Sequence, residues 1–535
     1  MYGTTKGSLP HTTALTASSV ETKKISKSFL LLIFSVVLLI TVFKFSAGVN
    51  GNDFWWHQKA GEWIVEHGEV PDKDIFSWYG MEQDYEWTAH EWLSEVILYK
   101  IYDTAGEAGI FLFCLAMHLT TVFLLLVFTK RYASRNQPFY LLLFAISAFA
   151  ISGFALARPQ IFSLLLFLIE LNILCGFVEN PSRKSIFAIP LITCLWSNLH
   201  SGTALLSYGL VFMFLVGHLL NFNIGRIESK RASKGVLMRL GIVLVLSVAA
   251  IFANPIGAEA FTYPFVNQSS DFMVKSITEW FPPDAKDTKQ LILFFLPPAV
   301  FLLGMLAHKD KVRLIDVLGM GFFLLLFLRS VRFIPMLLIA CFFFAARYLP
   351  ELKVKDKATK EEKLLDLTES KSSRCLAAVL SSFLIAGSIA VAVLSTTPFK
   401  NMTWVTSVVT DEFVEFVSEE KPTRIFNDYN LSEALIAADI PVFFDARADL
   451  YFRNEVLEKG IGLTGLVDKS TGKIYTVDGI FDPMLMIDDF GFDAMVTMNG
   501  TSLHAFLSSH PDKFTLTYSD SVCSYYRVEA NTSVN

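Results

Sequence analysis

The sequence predicts a polytopic α-helical membrane protein of about eleven transmembrane helices with a C-terminal extracytoplasmic α/β domain. Three observations predict it. Of the 535 residues, 53% are hydrophobic and only 18% are charged, the balance of a membrane protein rather than of a soluble domain. Apolar runs recur at about 28–47, 108–128, 138–156, 159–177, 186–197, 202–221, 237–254, 291–307, 314–328, 333–346 and 376–395, and a helix needs around 20 residues to cross a bilayer core of about 30 Å. With the N-terminus set inside, the segments up to about residue 374 that fall on the cytoplasmic side carry 25 Lys/Arg, against 9 in the outer loops between the apolar runs. That asymmetry obeys the positive-inside rule and places everything beyond about residue 396 outside.

The elements follow in order. A polar tail, 1–27, ends in Lys23, Lys24 and Lys27. The run after it is too long for a signal-peptide core of about 7–15 residues and reads as a retained first helix. The outer loop at 48–106 is acidic, with 12 Asp/Glu against 3 Lys. Within it, Trp56, Ala60, Trp63 and Ile64 share one helical face, which predicts a helix over 55–66 lying at the membrane interface. Trp92, Val96 and Tyr99 predict a second helix over 87–102. The transmembrane region runs from 28 to 395, and the Lys/Glu-rich stretch 350–374 within it reads as a cytoplasmic linker. Residues 396–535 read as a soluble domain with strands at 424–427, 442–445, 494–498, 514–518 and 523–528 and helices at 431–438 and 502–509.

Seven polar motifs end apolar runs, all on the outer side by this parity: Asn50–His57, Trp87–Leu93, Ala157–Gln160, Trp196–His200, Asn254–Gly257, Thr278–Trp280 and Arg329–Phe333. Acids, arginines and histidines gathered at one membrane face predict a site there. Asp53, beside Trp55, Trp56 and His57, suits a general base or a cation ligand. Arg158 stands between two apolar spans with no charged neighbour in sequence. An arginine so placed costs several kcal/mol unless it is paired or snorkels. Arg158, Arg332 and Arg329 offer guanidinium forks that suit a phosphate. His90, Glu91, Trp92, His200 and Glu279 fit either sugar binding, by ring stacking and carboxylate–hydroxyl bonds, or simple loop packing.

Other chemistries find no support in the residues. The six cysteines have no paired spacing, so neither a disulfide framework nor a zinc site is expected from them. There is no His-Glu-x-x-His, Gly-x-Ser-x-Gly or Walker loop. No polybasic tract points to nucleic acid.

The first loop reads Asp53-Phe-Trp55-Trp56-His57, Gly61-Glu-Trp63-Ile64, Pro71-Asp-Lys-Asp74-Ile-Phe76-Ser77 and Trp87-Thr-Ala-His90-Glu91-Trp92-Leu93. Later come Ala157-Arg158-Pro159-Gln160, Asn198-Leu-His200, Asn254-Pro255, Glu279-Trp280, Arg332-Phe333, Phe426-Asn427-Asp428-Tyr429 and Asp445-Ala-Arg447-Ala448-Asp449-Leu450-Tyr451. Over about residues 50–455 this pattern resembles the GT-C superfamily of integral membrane glycosyltransferases, which includes the protein O-mannosyltransferases and oligosaccharyltransferase. It is most similar to a poorly characterised bacterial branch. The resemblance implies a plasma-membrane enzyme that takes a sugar from a polyprenyl-phosphate carrier in the bilayer and transfers it to a glycan, lipid or protein acceptor at the outer face. Asp53 would then be the acceptor-activating base or a metal ligand, with Glu91, beside His90, and Asp74 as rivals. Arg158, Arg332 and Arg329 would hold the donor phosphate, and Trp56, His57, Asp74, Trp92, His200 and Glu279 would line the substrate. No cofactor is assigned beyond a divalent cation at Asp53. The chain departs from the O-mannosyltransferases in having a single Asp where they have an adjacent Asp-Glu pair. Two other readings compete: a transporter, for which Glu170 is the notable mid-span acid, and an envelope scaffold that binds a partner or glycan through Asp445, Arg447 and Asp449.

Overall fold

The computed structural model describes residues 27–45, 53–133, 137–267, 278–350, 353–355, 362–364, 371–396, 409–451, 456–464 and 483–529. The helices of the apolar part are α1 (Lys27–Phe45), α2 (Phe54–His67), α3 (Trp78–Glu82), α4 (Trp92–Thr129), α5 (Gln137–Ser152), α6 (Gln160–Glu179), α7 (Ile189–Leu219), α8 (Lys234–Ala250), α9 (Glu259–Asn267), α10 (Leu296–Ala307), α11 (Leu314–Arg329), α12 (Ile334–Phe344) and α13 (Lys371–Thr396). Short ribbons join the loops: β1 (Phe222–Ile224) pairs with β2 (Ile227–Ser229), β2 with β3 (Val312–Arg313), and β4 (Lys353–Lys355) with β5 (Glu362–Leu364).

Each of the eleven apolar runs carries a helix. Six described segments are long and apolar enough to cross a membrane: Lys27–Phe45, Trp92–Tyr132, Gln160–Glu179, Lys184–Leu219, Thr288–Ala307 and Arg374–Val391. The other runs form shorter helices, so the structure gives six full-length candidates where the sequence predicts about eleven spans. Two of the six are broken. Gly106, at φ +57°, divides α4 into an outer arm and a membrane arm, a conformation glycine adopts without steric cost. In α7, Thr193 Oγ1 and Ser207 Oγ lie 2.6 Å apart. Fourteen residues of straight helix would separate them by about 21 Å, so α7 folds back on itself at His200, where the helical geometry breaks. This restores the two runs, 186–197 and 202–221, expected from the sequence. Helix α12 is buried along its whole length at the centre of the bundle.

One end of the bundle gathers basic loops. Arg131 pairs with Glu179 at 3.1 Å, Arg313 with Asp316 at 2.6 Å, and Arg347 stacks over Tyr132 at 4.2 Å. These are the loops expected to face the cytoplasm.

At the other end sits the C-terminal region: α14 (Asp411–Glu420), β6 (Ile425–Asn427), α15 (Ser432–Ala437), α16 (Ala448–Tyr451), α17 (Val456–Thr464), α18 (Pro483–Phe490), β7 (Ala494–Met498), α19 (Ser502–Ser508), β8 (Phe514–Ser519) and β9 (Cys523–Val528). Its sheet runs β6-β7-β9-β8, with β6 parallel to β7 and the remaining pairs antiparallel. The expected strand over 442–445 is a single bridge instead. Val442 donates its N–H to Phe76 O at 3.1 Å and accepts from Trp78 N at 2.9 Å, so the first outer loop supplies its partner. Trp56, Trp78 and Trp87 of that loop lie in one hydrophobic cluster with Ile425, Phe443, Met495 and Tyr526. The loop and the C-terminal region therefore share a core. The inner face of α2 packs against the outer arm of α4 and against α15. A Cβ on Gly61 would meet Glu95 O at 2.1 Å, so only glycine permits this approach.

Candidate active site

The polar motifs meet where the bundle joins this outer region. Trp92 Nε1 donates to Asn198 Oδ1 at 3.0 Å, Asn198 Nδ2 donates to Ala253 O at 2.9 Å, and Asn254 Nδ2 donates to Ser197 O at 2.7 Å. Ser330 Oγ donates to Glu279 O at 2.8 Å, and Ser201 N to His90 O at 3.0 Å. Polar side chains at the ends of different helices thus tie those ends together.

Two charge clusters follow. In the first, Asp53 stands at the N-terminal end of α2, and its side chain makes no cap bond to the helix. Arg158, in the turn between α5 and α6, sets Nε 3.0 Å from Asp53 Oδ2 and donates from Nη1 to Glu279 Oε1 at 2.6 Å. The sequence anomaly is thus resolved by pairing rather than snorkelling. Arg332 stacks over Trp280 at 5.4 Å and has no carboxylate within ion-pair distance among the described residues. Burial pushes the Asp53 carboxyl up to about 6, with Arg158 opposing. Burial also pushes Glu279 up, but Arg158 and Arg332 outweigh it and hold that group below its ordinary value. The Asp53 side chain is 25% exposed, so its carboxyl is open to solvent.

In the second cluster Glu91 is central. Its Oε1 lies 3.2 Å from His200 Nε2 and 3.5 Å from His90 Nε2, and its Oε2 lies 3.8 Å from His57 Nε2. His57 Nδ1 faces Glu95 Oε1 at 3.5 Å. Burial drives the His57 imidazole down to about 3 despite Glu91, so it is neutral at physiological pH. His90 stacks on Tyr263 with ring centroids 3.9 Å apart, and Tyr263 OH donates to Asp449 Oδ2 at 3.0 Å.

Of the residues singled out from sequence, Asp53, Arg158, Glu279 and Arg332 gather in the first cluster, and His57, His90, Glu91 and His200 in the second. Trp56 packs on His57 with centroids 3.7 Å apart, and Trp92 holds Asn198. Arg329 is exposed at the end of α11. Asp74 is elsewhere. It is buried against Arg447 at 2.5 Å and accepts from the backbone of Phe76 and Ser77, so it joins the loop to the C-terminal region. Asp445 and Arg447 are buried in the same joint and present no surface to a glycan.

The structure adds residues that the sequence did not flag. Glu433 of α15 accepts the Trp55 N–H at 2.8 Å, at the head of α2 beside Asp53. Glu95 follows Glu91 by one helical turn, a spacing visible in the sequence; Glu433 carries no comparable signal.

No family model matches the chain, and no curated protein matches it. Among its structural neighbours are archaeal oligosaccharyltransferases. The Archaeoglobus fulgidus enzyme tethered with an acceptor peptide containing the NVT sequon has a TM-score of 0.45, and its apo form 0.46. The same organism's AglB in complex with an inhibitory peptide and a dolichol-phosphate has 0.47. Each is 11% identical and covers 88% of this chain and 69% of its own. A likeness at this level assigns neither substrate nor mechanism.

Proposed function

We propose that this chain is a membrane glycosyltransferase that moves a sugar from a polyprenyl-phosphate carrier to a glycan, lipid or protein acceptor at the outer face. The observation that carries the reading is the first cluster: a carboxylate with a raised pKa stands beside Arg158, and close by is the guanidinium of Arg332, which has no carboxylate at ion-pair distance among the described residues. The motif resemblance points the same way. In this reaction the acceptor hydroxyl gives its proton to Asp53, and its oxygen attacks the anomeric carbon. The bond from that carbon to the phosphate oxygen breaks, and the bonding pair leaves with the phosphate, whose charge Arg332 meets. Arg158 fixes Asp53 and Glu279. The work is positioning, proton transfer and charge stabilisation, and direct displacement inverts the anomeric centre. On this reading the basic-loop end faces the cytoplasm and the C-terminal region lies outside.

The test is release of polyprenyl phosphate from a panel of polyprenyl-phosphate sugars by the protein in lipid. Arg332→Ala is expected to lower turnover by about 10²–10³-fold, as for loss of one donor to a developing anion. An undiminished rate would remove Arg332 from the phosphate seat. The pH profile is a second check. Asp53 acts only when deprotonated, so the rate should rise with pH through about 6 and level off above it. A flat profile between pH 4.5 and 8 would rule out Asp53 as the base. A retained anomeric configuration in the product would exclude direct displacement.

A further inference from the structure

We propose that His57, Glu91 and Glu95 bind a divalent first-row transition metal of the zinc type, at a place distinct from Asp53. One donor atom from each of the three lies within 4.8 Å of the other two. They come from two elements, α2 and the head of α4, so neither helix alone makes the set. All three are buried: His57 is 2% exposed, Glu91 7% and Glu95 1%.

Charge is the first argument. Two carboxyl groups are held one helical turn apart, out of water; only histidines approach Glu91, and no Lys or Arg lies within ion-pair distance of either group among the described residues. Buried carboxylates need a compensating partner, because removal from water costs several kcal/mol per ion. A dication neutralises both. The second argument is the oxygen left over: Glu95 Oε2 is buried and has no hydrogen-bond partner among the described residues. Buried acceptors are almost always satisfied, and a bound ion is one of the standard reasons for an exception. The third is spacing. Donors on one tetrahedral zinc, at bonds of about 2.0–2.2 Å, stand roughly 3.3–3.6 Å apart. His57 Nε2 stands 3.8 Å from Glu91 Oε2, close to that separation, and one donor of Glu95 lies within 4.8 Å of the other two residues' donors.

The donor set selects the ion class. An imidazole with two carboxylates suits zinc and its neighbours, whereas magnesium and calcium prefer all-oxygen shells. The surroundings are those of an outer shell. His200 presents Nε2 to Glu91 Oε1 at 3.2 Å, and its Nδ1 is fixed by Ser163 Oγ at 2.8 Å and Thr203 Oγ1 at 3.0 Å. Such supports orient a ligating carboxylate. An ion here would clamp α2 to α4, with the reversal in α7 held against it through His200.

The test is independent of glycosyl transfer. Full-length protein in nanodiscs is stripped with a chelator, dialysed against limiting Zn²⁺, and assayed for bound metal and for thermal unfolding. Wild type should retain one equivalent and unfold at a higher temperature with zinc than without. His57→Ala, Glu91→Gln and Glu95→Gln should each lower affinity by more than 10-fold and lose the zinc-dependent shift. His200→Ala should weaken binding by about 10-fold, as for an outer-shell partner. Asp53→Asn should retain the ion. Unfolding without zinc reports whether each variant is folded. No retained equivalent in folded wild type would overturn the site and make the cluster a proton-sharing network. Retention by folded His57→Ala and Glu95→Gln, or loss from Asp53→Asn, would place the ion elsewhere and overturn it equally.

Discussion

Asp53→Asn is expected to reduce polyprenyl phosphate release by about 10²–10⁴-fold, the range for loss of a positioned general base. The substitution keeps the shape of the side chain and removes the charge and the proton-accepting oxygen. Folding should survive, because Arg158 keeps Glu279 at 2.6 Å when Asp53 is neutral. Asp53 also makes no cap bond to α2, so the helix start loses nothing. The pH profile separates a base from a merely structural acid. In wild type the rate climbs through about pH 6, the value to which burial lifts this carboxyl, and in the variant that limb should vanish. Glu433 is an alternative base, since it sits at the head of the same helix. If Asp53→Asn retained near-wild-type turnover and Glu433→Gln abolished it, the assignment would move to Glu433.

Much of the site could be read in the sequence because its residues lie in the outer segments between apolar runs. Runs that alternate through a slab bring their same-parity ends to one plane, so Asp53, Arg158, His200, Glu279 and Arg332 meet although they span 280 positions. The elements of the C-terminal region were legible too, since their periods of 2 and 3.6 are local. What failed to show was set by contacts across the chain. Asp74 looks like a loop acid until Arg447, 373 residues on, is seen beside it. Val442 looks like a strand until Ser77 pairs with it alone. The zinc-type cluster escaped because its histidine and its carboxylates lie on different helices, with none of the short spacings by which a metal motif is recognised.

The shared core gives the second large effect. Arg447→Met is expected to destabilise the outer region by about 3–5 kcal/mol, the cost of breaking a buried ion pair from one side. Arg447 is fully enclosed, donates to Asp74 at 2.5 Å and Asp445 at 2.7 Å, and stacks on Phe76 and Trp87 at 4.7 and 4.5 Å. Its removal leaves two carboxylates buried with no cation among the described residues. The loss should not stay local, because Trp56, Trp78 and Trp87 of the first loop lie in one cluster with Phe443 and Met495. Limited proteolysis should therefore cut the 70–91 loop and the 409–451 segment at matching, accelerated rates, while the helical bundle resists. A combined Asp74→Asn, Arg447→Met, Asp445→Asn chain should recover much of the stability, since an all-neutral replacement leaves no charge stranded. If Arg447→Met alone unfolded at the wild-type temperature, the joint would contribute nothing. The same architecture means that removing the C-terminal region bares the tryptophan face of the first loop. A truncated chain without turnover would then report a collapsed site rather than a non-catalytic protein, which makes point substitutions in the charge clusters the decisive experiments.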